Sequence, residues 1–327
     1  MAAAETGRAH EENEDLVDLD KELGPFTGSA IDYRLPCTGY RGHRCKIVSH
    51  LSSWNEYLCQ ACLELKETVG KAGELSLLSF YNPEVRRLEK EGKHVVATLL
   101  YWLFSLHHCL TFVQITVEQL QPYEAIFWKA LIWNSHVFQS LQTLHFTGKH
   151  FYNQVCPEKI LDGLSRLVRE TNSLTALKMH SLSMKTPDAK RFLGALAQNR
   201  TLKELSLHGS VVRHSAFKEY LENSALLQAL TIVACNEGEE NCLMWPLRGL
   251  RLNQSVSKVS FRDAIVEQPV AELVASFLTE SQILRTFRLL LPEPGGSYQE
   301  DFESDVLVEK KLFEADMRPS EGILHDC

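Results

Sequence analysis

A short phrase recurs along this chain at nearly constant spacing. Residues 172–179, from Asn172 through Leu177 to Met179, are echoed from Asn199 through Leu205 to Leu207. The phrase returns from Asn223 to Leu230 and Ile232, from Asn253 to Val259 and Phe261, and, with Ser281 in place of Asn, to Phe287 and Leu289. The markers Leu177, Leu205, Leu230, Val259 and Phe287 are spaced 28, 25, 29 and 28 residues apart. Leu144 and Val113 extend the series upstream at spacings of 33 and 31. Self-similarity at such a period predicts repeated supersecondary units that bury their apolar faces by stacking. A stacked array usually works by presenting a surface.

Each L-x-x-L-x-L stretch ends in alternation and predicts a short strand. Between strands the period changes to helical. Leu161, Leu164, Leu167 and Val168 fall on one helix face, as do Ala189, Phe192, Leu193 and Leu196, and Val270, Leu273, Val274, Phe277 and Leu278. Pro83, Pro122, Pro157, Pro187 and Pro269 stand where helices are expected to start, a position at which a missing N–H costs nothing.

These units resemble the long leucine-rich repeats of the ribonuclease-inhibitor type, the type that forms the tail of cytosolic NOD-like receptors. The resemblance spans residues 110–291. It implies an α/β solenoid, a horseshoe with a parallel concave sheet and convex helices. It also implies a role in binding other proteins, in innate immune signalling by analogy. The chain departs from the family pattern where an Asn or Cys should follow the last leucine. Lys149, Leu182, Ser210, Cys235 and Ala264 stand there, and only Cys235 fits.

Charge divides the chain. The 327 residues carry a net charge of −8. Residues 1–30 contribute −6 and residues 292–327 contribute −7, so the middle is left with about +5. The expected organisation is an acidic tail at 1–30, a mainly helical N-terminal cap at 31–109, repeats at 110–291 and a second acidic tail at 292–327. Within the cap, the Ser53–Glu56 phrase fits a capping box and predicts a helix to about Val69. Pro83–Cys109 predicts a longer buried helix, and Leu75, Leu77 and Phe80 an early strand. The apolar run Val95–Leu106 is too short for a membrane span, which needs about 20 residues. Nine cysteines without a leader pattern point to reduced thiols in the cytosol or nucleus, and a cytoplasmic location is expected.

Catalytic motifs are missing. No G-x-x-x-x-G-K-[ST], G-x-S-x-G, H-E-x-x-H or G-x-G-x-x-G occurs, so the expectation is a non-enzymatic protein with no cofactor. Cys37, Cys45, Cys59 and Cys62 form a C-x7-C-x13-C-x2-C array near His43 and His50. Zinc would need four such ligands to converge. The last pair falls in an expected helix, so the reading is packed thiols and no metal. His107 and His108, beside Cys109, read as a helix-terminal pair favoured by the helix dipole rather than as part of a Cys–His dyad.

The positions between the repeat leucines face away from the core. They carry Lys178, Lys203, His208, Lys258, Arg262, Arg285 and Arg288, with His145, His180 and a single acid, Glu204. Gln228, Ala229, Thr231 and Val233 interrupt this basic stripe. It predicts a protein partner with an acidic surface. The overall pI of about 5.9 and the lack of interleaved aromatics on this face weigh against nucleic acid, and neither a membrane nor a small molecule is expected as partner. The alternatives are a substrate-recognition subunit of a ubiquitin ligase and a GTPase or nuclease regulator.

Overall fold

The computed structural model describes residue 26 and residues 31–39, 44–80, 90–116, 139–147, 158–180, 182–234 and 242–290. The chain is α/β. Among the described residues nine strands form one sheet in strict chain order. They are β1 (Leu63–Glu67), β2 (Leu75–Ser79), β3 (Leu110–Thr116), β4 (Thr143–Thr147), β5 (Ala176–Met179), β6 (Glu204–His208), β7 (Ala229–Val233), β8 (Lys258–Arg262) and β9 (Thr286–Leu289). β1 runs antiparallel to β2, and every later pairing is parallel. The helices are α1 (Leu51–Leu58), α2 (Lys90–Leu106), α3 (Glu158–Glu170), α4 (Thr186–Leu196), α5 (Gly209–Val212), α6 (Ser215–Asn223), α7 (Met244–Leu250) and α8 (Gln268–Glu280).

The repeat markers sit in register. Val113 pairs with Leu144, Leu144 with Leu177, Leu177 with Leu205, Leu205 with Leu230, Leu230 with Val259 and Val259 with Phe287. Those from Val113 to Val259 are buried, together with Phe146, Leu207, Ile232 and Phe261 two residues further along. The helical faces expected from the sequence also enter the core. Leu161, Leu164, Leu167 and Val168 are fully buried, and so are Ala189 and Phe192. Pro187 and Pro269 occupy the first turns of α4 and α8. Pro83, Pro122 and Pro157 lie outside the described residues. α3 packs on α4, α4 on α5 and α6, α6 on α7 and α7 on α8. No helix among the described residues is long and apolar enough to cross a membrane.

Polar ladders tie the units together. The backbone N–H groups of Gln142, Ala176, Lys203, Gln228, Ser257 and Arg285 donate to Thr111, Gln142, Thr175, Lys203, Gln228 and Ser257 carbonyls, each one unit back. A hydroxyl ladder runs beside it. Ser140 donates to Leu110 O, Ser173 to Leu141 O, Thr201 to Leu174 O and Ser255 to Ser224 O. A third ladder uses asparagine. Asn199 donates to Val168 O and accepts from the Thr201 and Leu202 N–H groups. Asn253 donates to the Leu221 and Ser224 carbonyls and accepts from the Ser255 and Val256 N–H groups. Each asparagine therefore joins the end of the helix one unit back to the entry of its own strand.

The repeat phrase of the sequence is partly out of frame. Thr171, Asn199, Ser224, Asn253 and Ser281 share one structural position, spaced 28, 25, 29 and 28 residues. Asn172 and Asn223 stand one residue from it. Asn172 is exposed, and the Asn223 side chain donates to Glu219 O of its own helix. In the same unit Leu226 is exposed while Leu227 is buried.

The first eighty residues differ from expectation. The helix expected to start at Ser53 and reach Val69 is α1, which follows a 3-10 turn at Lys46–His50 and stops at Leu58. Cys62 turns left-handed at φ 54°, and residues 63–67 become a strand with Leu63 and Leu65 buried. The Asn55 side chain fixes that strand by donating to Leu65 O at 2.9 Å and accepting from Leu65 N at 2.7 Å. Residues 31–109 therefore contribute two strands to the sheet as well as helices. The early strand expected around Leu75 and Leu77 is β2.

Candidate functional site

Strand alternation puts three rows of side chains on the face of the sheet opposite the buried leucines. One row reads Thr143, Ala176, Glu204, Ala229, Lys258 and Thr286. The next reads Gln114, His145, Lys178, Ser206, Thr231, Ser260 and Arg288. The third brings His208, Val233 and Arg262 side by side. Lys203 and Arg285 lie just before β6 and β9, in the backbone ladder. The predicted stripe is thus two groups. Lys178 and Lys203 stand on one side of the neutral β7. Lys258, Arg262, Arg285 and Arg288 stand on the other.

His208 does not belong with them. It is 1% exposed, and its Nδ1 accepts from the Ser210 N–H and shares a hydrogen bond with Ser210 Oγ at 2.9 Å. Ser210 Oγ in turn accepts from Met184 N, 26 residues back. Ser210 occupies the position where the repeat family has Asn or Cys, and here the hydroxyl ties one unit to the next. The histidine orients that hydroxyl. Burial, then the charges of His180 and Arg213, push the His208 pKa down to about 4. Burial, then His180 and Lys178, push His145 down to about 3. Neither imidazole adds positive charge to the stripe near neutral pH.

These depressed values make stability depend on pH. Below pH 6.5 the unfolded histidines bind protons that the folded ones refuse. Stability therefore falls as pH drops from 6.5 toward 4, by up to about 1.4 kcal/mol per pH unit for each group. Urea midpoints at pH 7 and pH 5 are expected to fall in step with this slope, and His208→Gln is expected to flatten it. Equal slopes in the two proteins would contradict this account of His208.

The cations differ from one side of the molecule to the other. On the helices Arg166 pairs with Glu170, Arg191 with Asp162 and Asp188, Lys218 with Glu222, and Arg251 with Glu280. Among the described residues Lys178, Lys203, Lys258, Arg262 and Arg285 enter no such ion pair.

A second cluster lies near the first strands. Cys37, Cys45, His107 and Cys109 offer ligand atoms that all lie within 4.8 Å of one another, and three of the four residues are buried. The cluster assembles because Cys37 N donates to Leu106 O at 2.9 Å, which fastens the N-terminal segment to the end of α2. Cys45 immediately precedes the 3-10 turn, and Cys109 immediately precedes β3. Trp54 stands perpendicular to the His107 ring at 5.8 Å, and Tyr33 packs on Trp54 at 5.1 Å. His107 Nδ1 faces Cys45 Sγ at 3.5 Å, and its Nε2 has no hydrogen-bond partner among the described residues.

The sulfurs are electrostatically unequal. A hydrogen bond from Cys109 holds Cys37 and Cys45 below the usual thiol range, and the same bonds push Cys109 up. Burial opposes the charged form of His107, but hydrogen bonds to Cys37 and Cys45 outweigh it and raise the ring's pKa. In the sequence Cys37 and Cys45 group with Cys59 and Cys62. The fold replaces the second pair by His107 and Cys109. Cys59 and Cys62 lie at the α1–β1 junction and take no part, and His43 lies outside the described residues.

No known protein-family pattern matches the chain, and no curated protein does. Among solved structures, one similarity is to "Leiomodin-1 Actin-Binding Site 2 (ABS2)", with a TM-score of 0.34 and 12% identity. It covers 45% of this chain and 83% of that one. A likeness of that strength carries no argument about fold or function.

Proposed function

We propose that this chain is a cytosolic leucine-rich-repeat interaction module of the ribonuclease-inhibitor type, which binds a protein with an acidic surface on the face of its sheet. The repeat assignment is supported by the in-order parallel strands and by ladders repeating every 25–33 residues. The binding reading rests on one observation. Among the described residues the helical cations are mostly paired with carboxylates, whereas Lys178, Lys203, Lys258, Arg262 and Arg285 on the sheet side are not, although Lys66 on β1 pairs with Glu64. Surface ion pairs contribute little to stability, so unpaired cations gathered on one face cost little to keep and attract opposite charge.

Lys258→Glu, Arg262→Glu and Arg285→Glu together test this. Affinity purification from cells, followed by mass spectrometry, should recover acidic partners with the native chain and lose them with this variant. Binding to poly-L-glutamate should weaken at least about tenfold, a change of about 1.4 kcal/mol. A control that reverses Arg166 and Arg191 on the helices should bind as the native chain does. Equal losses from both variants, or from neither, would refute the sheet face as the binding surface.

A further inference from the structure

We propose that Cys37, Cys45, Cys109 and Nδ1 of His107 form a structural zinc site. It would tie the N-terminal segment to the junction between α2 and β3.

The distances suit that ion. A tetrahedral zinc with Zn–S of about 2.3 Å and Zn–N of about 2.0 Å sets sulfur–nitrogen edges near 3.5 Å and sulfur–sulfur edges near 3.8 Å. The Cys45 Sγ to His107 Nδ1 separation is 3.5 Å, and all four ligand atoms fall within 4.8 Å of each other. Three thiolates and an imidazole are the soft donor set that selects zinc over magnesium or calcium.

The backbone is arranged for thiolates. The N–H of Gly39, two residues after Cys37, donates to Cys37 Sγ at 3.4 Å. An N–H directed at sulfur favours its charged form. Gly39 also lies against the cluster: a β-carbon there would touch Cys37 Sγ, Cys45 Cβ and Cys109 Cβ at 3.4–3.5 Å.

A disulfide fits the cluster less well. It would use two of three convergent sulfurs and leave the third, with a buried imidazole, facing a bond that needs neither. Four protein ligands fill a tetrahedral ion and leave no position for water or substrate, so the site is structural rather than catalytic. Binding releases the thiol protons to solvent, and ligation at Nδ1 keeps the ring proton on Nε2. The ion would close a loop from Cys37 to Cys109 that encloses α1, β1, β2 and α2.

The decisive measurement uses the full-length native chain. Protein purified from zinc-replete cells should carry about one zinc per chain by mass spectrometry of metals. Cobalt(II) added to the metal-free chain should give the strong visible bands of a tetrahedral thiolate centre, saturate at about one equivalent and be displaced by zinc. Cys45→Ser and Cys109→Ser should weaken or shift those bands, while Cys59→Ser should leave them intact. Removing zinc with a chelator should lower the Tm. A native chain with substoichiometric zinc and only the weak spectrum of octahedral cobalt would overturn the proposal. So would a Cys37–Cys45 disulfide in the freshly purified protein, or a cobalt spectrum that depends on Cys59 and not on Cys109.

Discussion

Asn253→Ala is expected to lower the unfolding free energy by about 3 kcal/mol, whereas Asn223→Ala, at a similar place in the repeat phrase, should change it by less than about 0.5 kcal/mol. Asn253 is 6% exposed and spends both ends of its amide on backbone. Its Nδ2 reaches Leu221 O at 2.7 Å and Ser224 O at 2.9 Å; its Oδ1 takes the N–H groups of Ser255 at 2.8 Å and Val256 at 2.7 Å. Alanine fills none of these roles and leaves buried donors and acceptors at the end of one helix and the start of the next strand. Asn253→Asp keeps the acceptor and loses the donors, so its effect should be intermediate. Asn223 makes one exposed bond within its own helix. Chemical denaturation of the three variants measures this. Similar losses at 223 and 253 would show that the structural frame of the ladder is wrong.

Phe261→Ala should be costlier still, about 3–5 kcal/mol, the range for removing a buried aromatic ring. Phe261 is fully buried on β8, and its ring meets Phe287 of β9 at 5.8 Å and 76°. Phe287 also meets Phe277 of α8 at 6.1 Å. The three rings join the last described strand to the sheet and to its helix. β9 itself is only half-buried along its length, so it depends on this contact more than the inner strands do. Hydrogen exchange should therefore speed up first at Thr286–Leu289 in the variant, with β5 and β6 little changed. A uniform increase across the sheet would mean that β9 does not open as a separate unit. Phe261→Leu, which refills much of the space, should cost less than half as much.

The strands of the repeats could be read from the sequence because alternation and burial coincide there. Leu177, Leu205, Leu230 and Val259 are predicted and observed in one ladder row. The asparagine echo was harder to frame. Asn is the conspicuous letter, but Thr171 and Ser224 occupy the equivalent positions, and a small hydroxyl residue does not announce itself. β1 was hidden because Trp54, Leu58, Ala61, Cys62 and Leu65 match a helical face, while the competing alternation of Leu63 and Leu65 is only two residues long. After α1 a 3-10 turn at Cys59–Ala61 carries the helical run to Cys62, whose left-handed turn ends it.

The outward row was legible, but its chemistry was not. Alternation places His208 on that face, yet Ser210 and the burial of the ring turn it into an internal hydrogen-bond partner. The cysteine cluster shows the limit most clearly. The sequence presents Cys37 and Cys45 as half of a set and offers the nearby Cys59 and Cys62 to complete it. The chain instead supplies His107 and Cys109, more than sixty residues away from Cys37. Their H-x-C spacing at the boundary between a buried helix and a strand was the available signal.

The strict chain order of the sheet has a kinetic consequence. Each strand finds its partner in the next unit, so the strand pairings span about one repeat rather than the length of the chain. Loop closure between units of 25–33 residues costs little more at the last unit than at the first. Once any two adjacent units have paired, they template the next, and order spreads outward from that nucleus along the chain. Ends should fray before the middle, and species with some units formed and others open should be populated during unfolding.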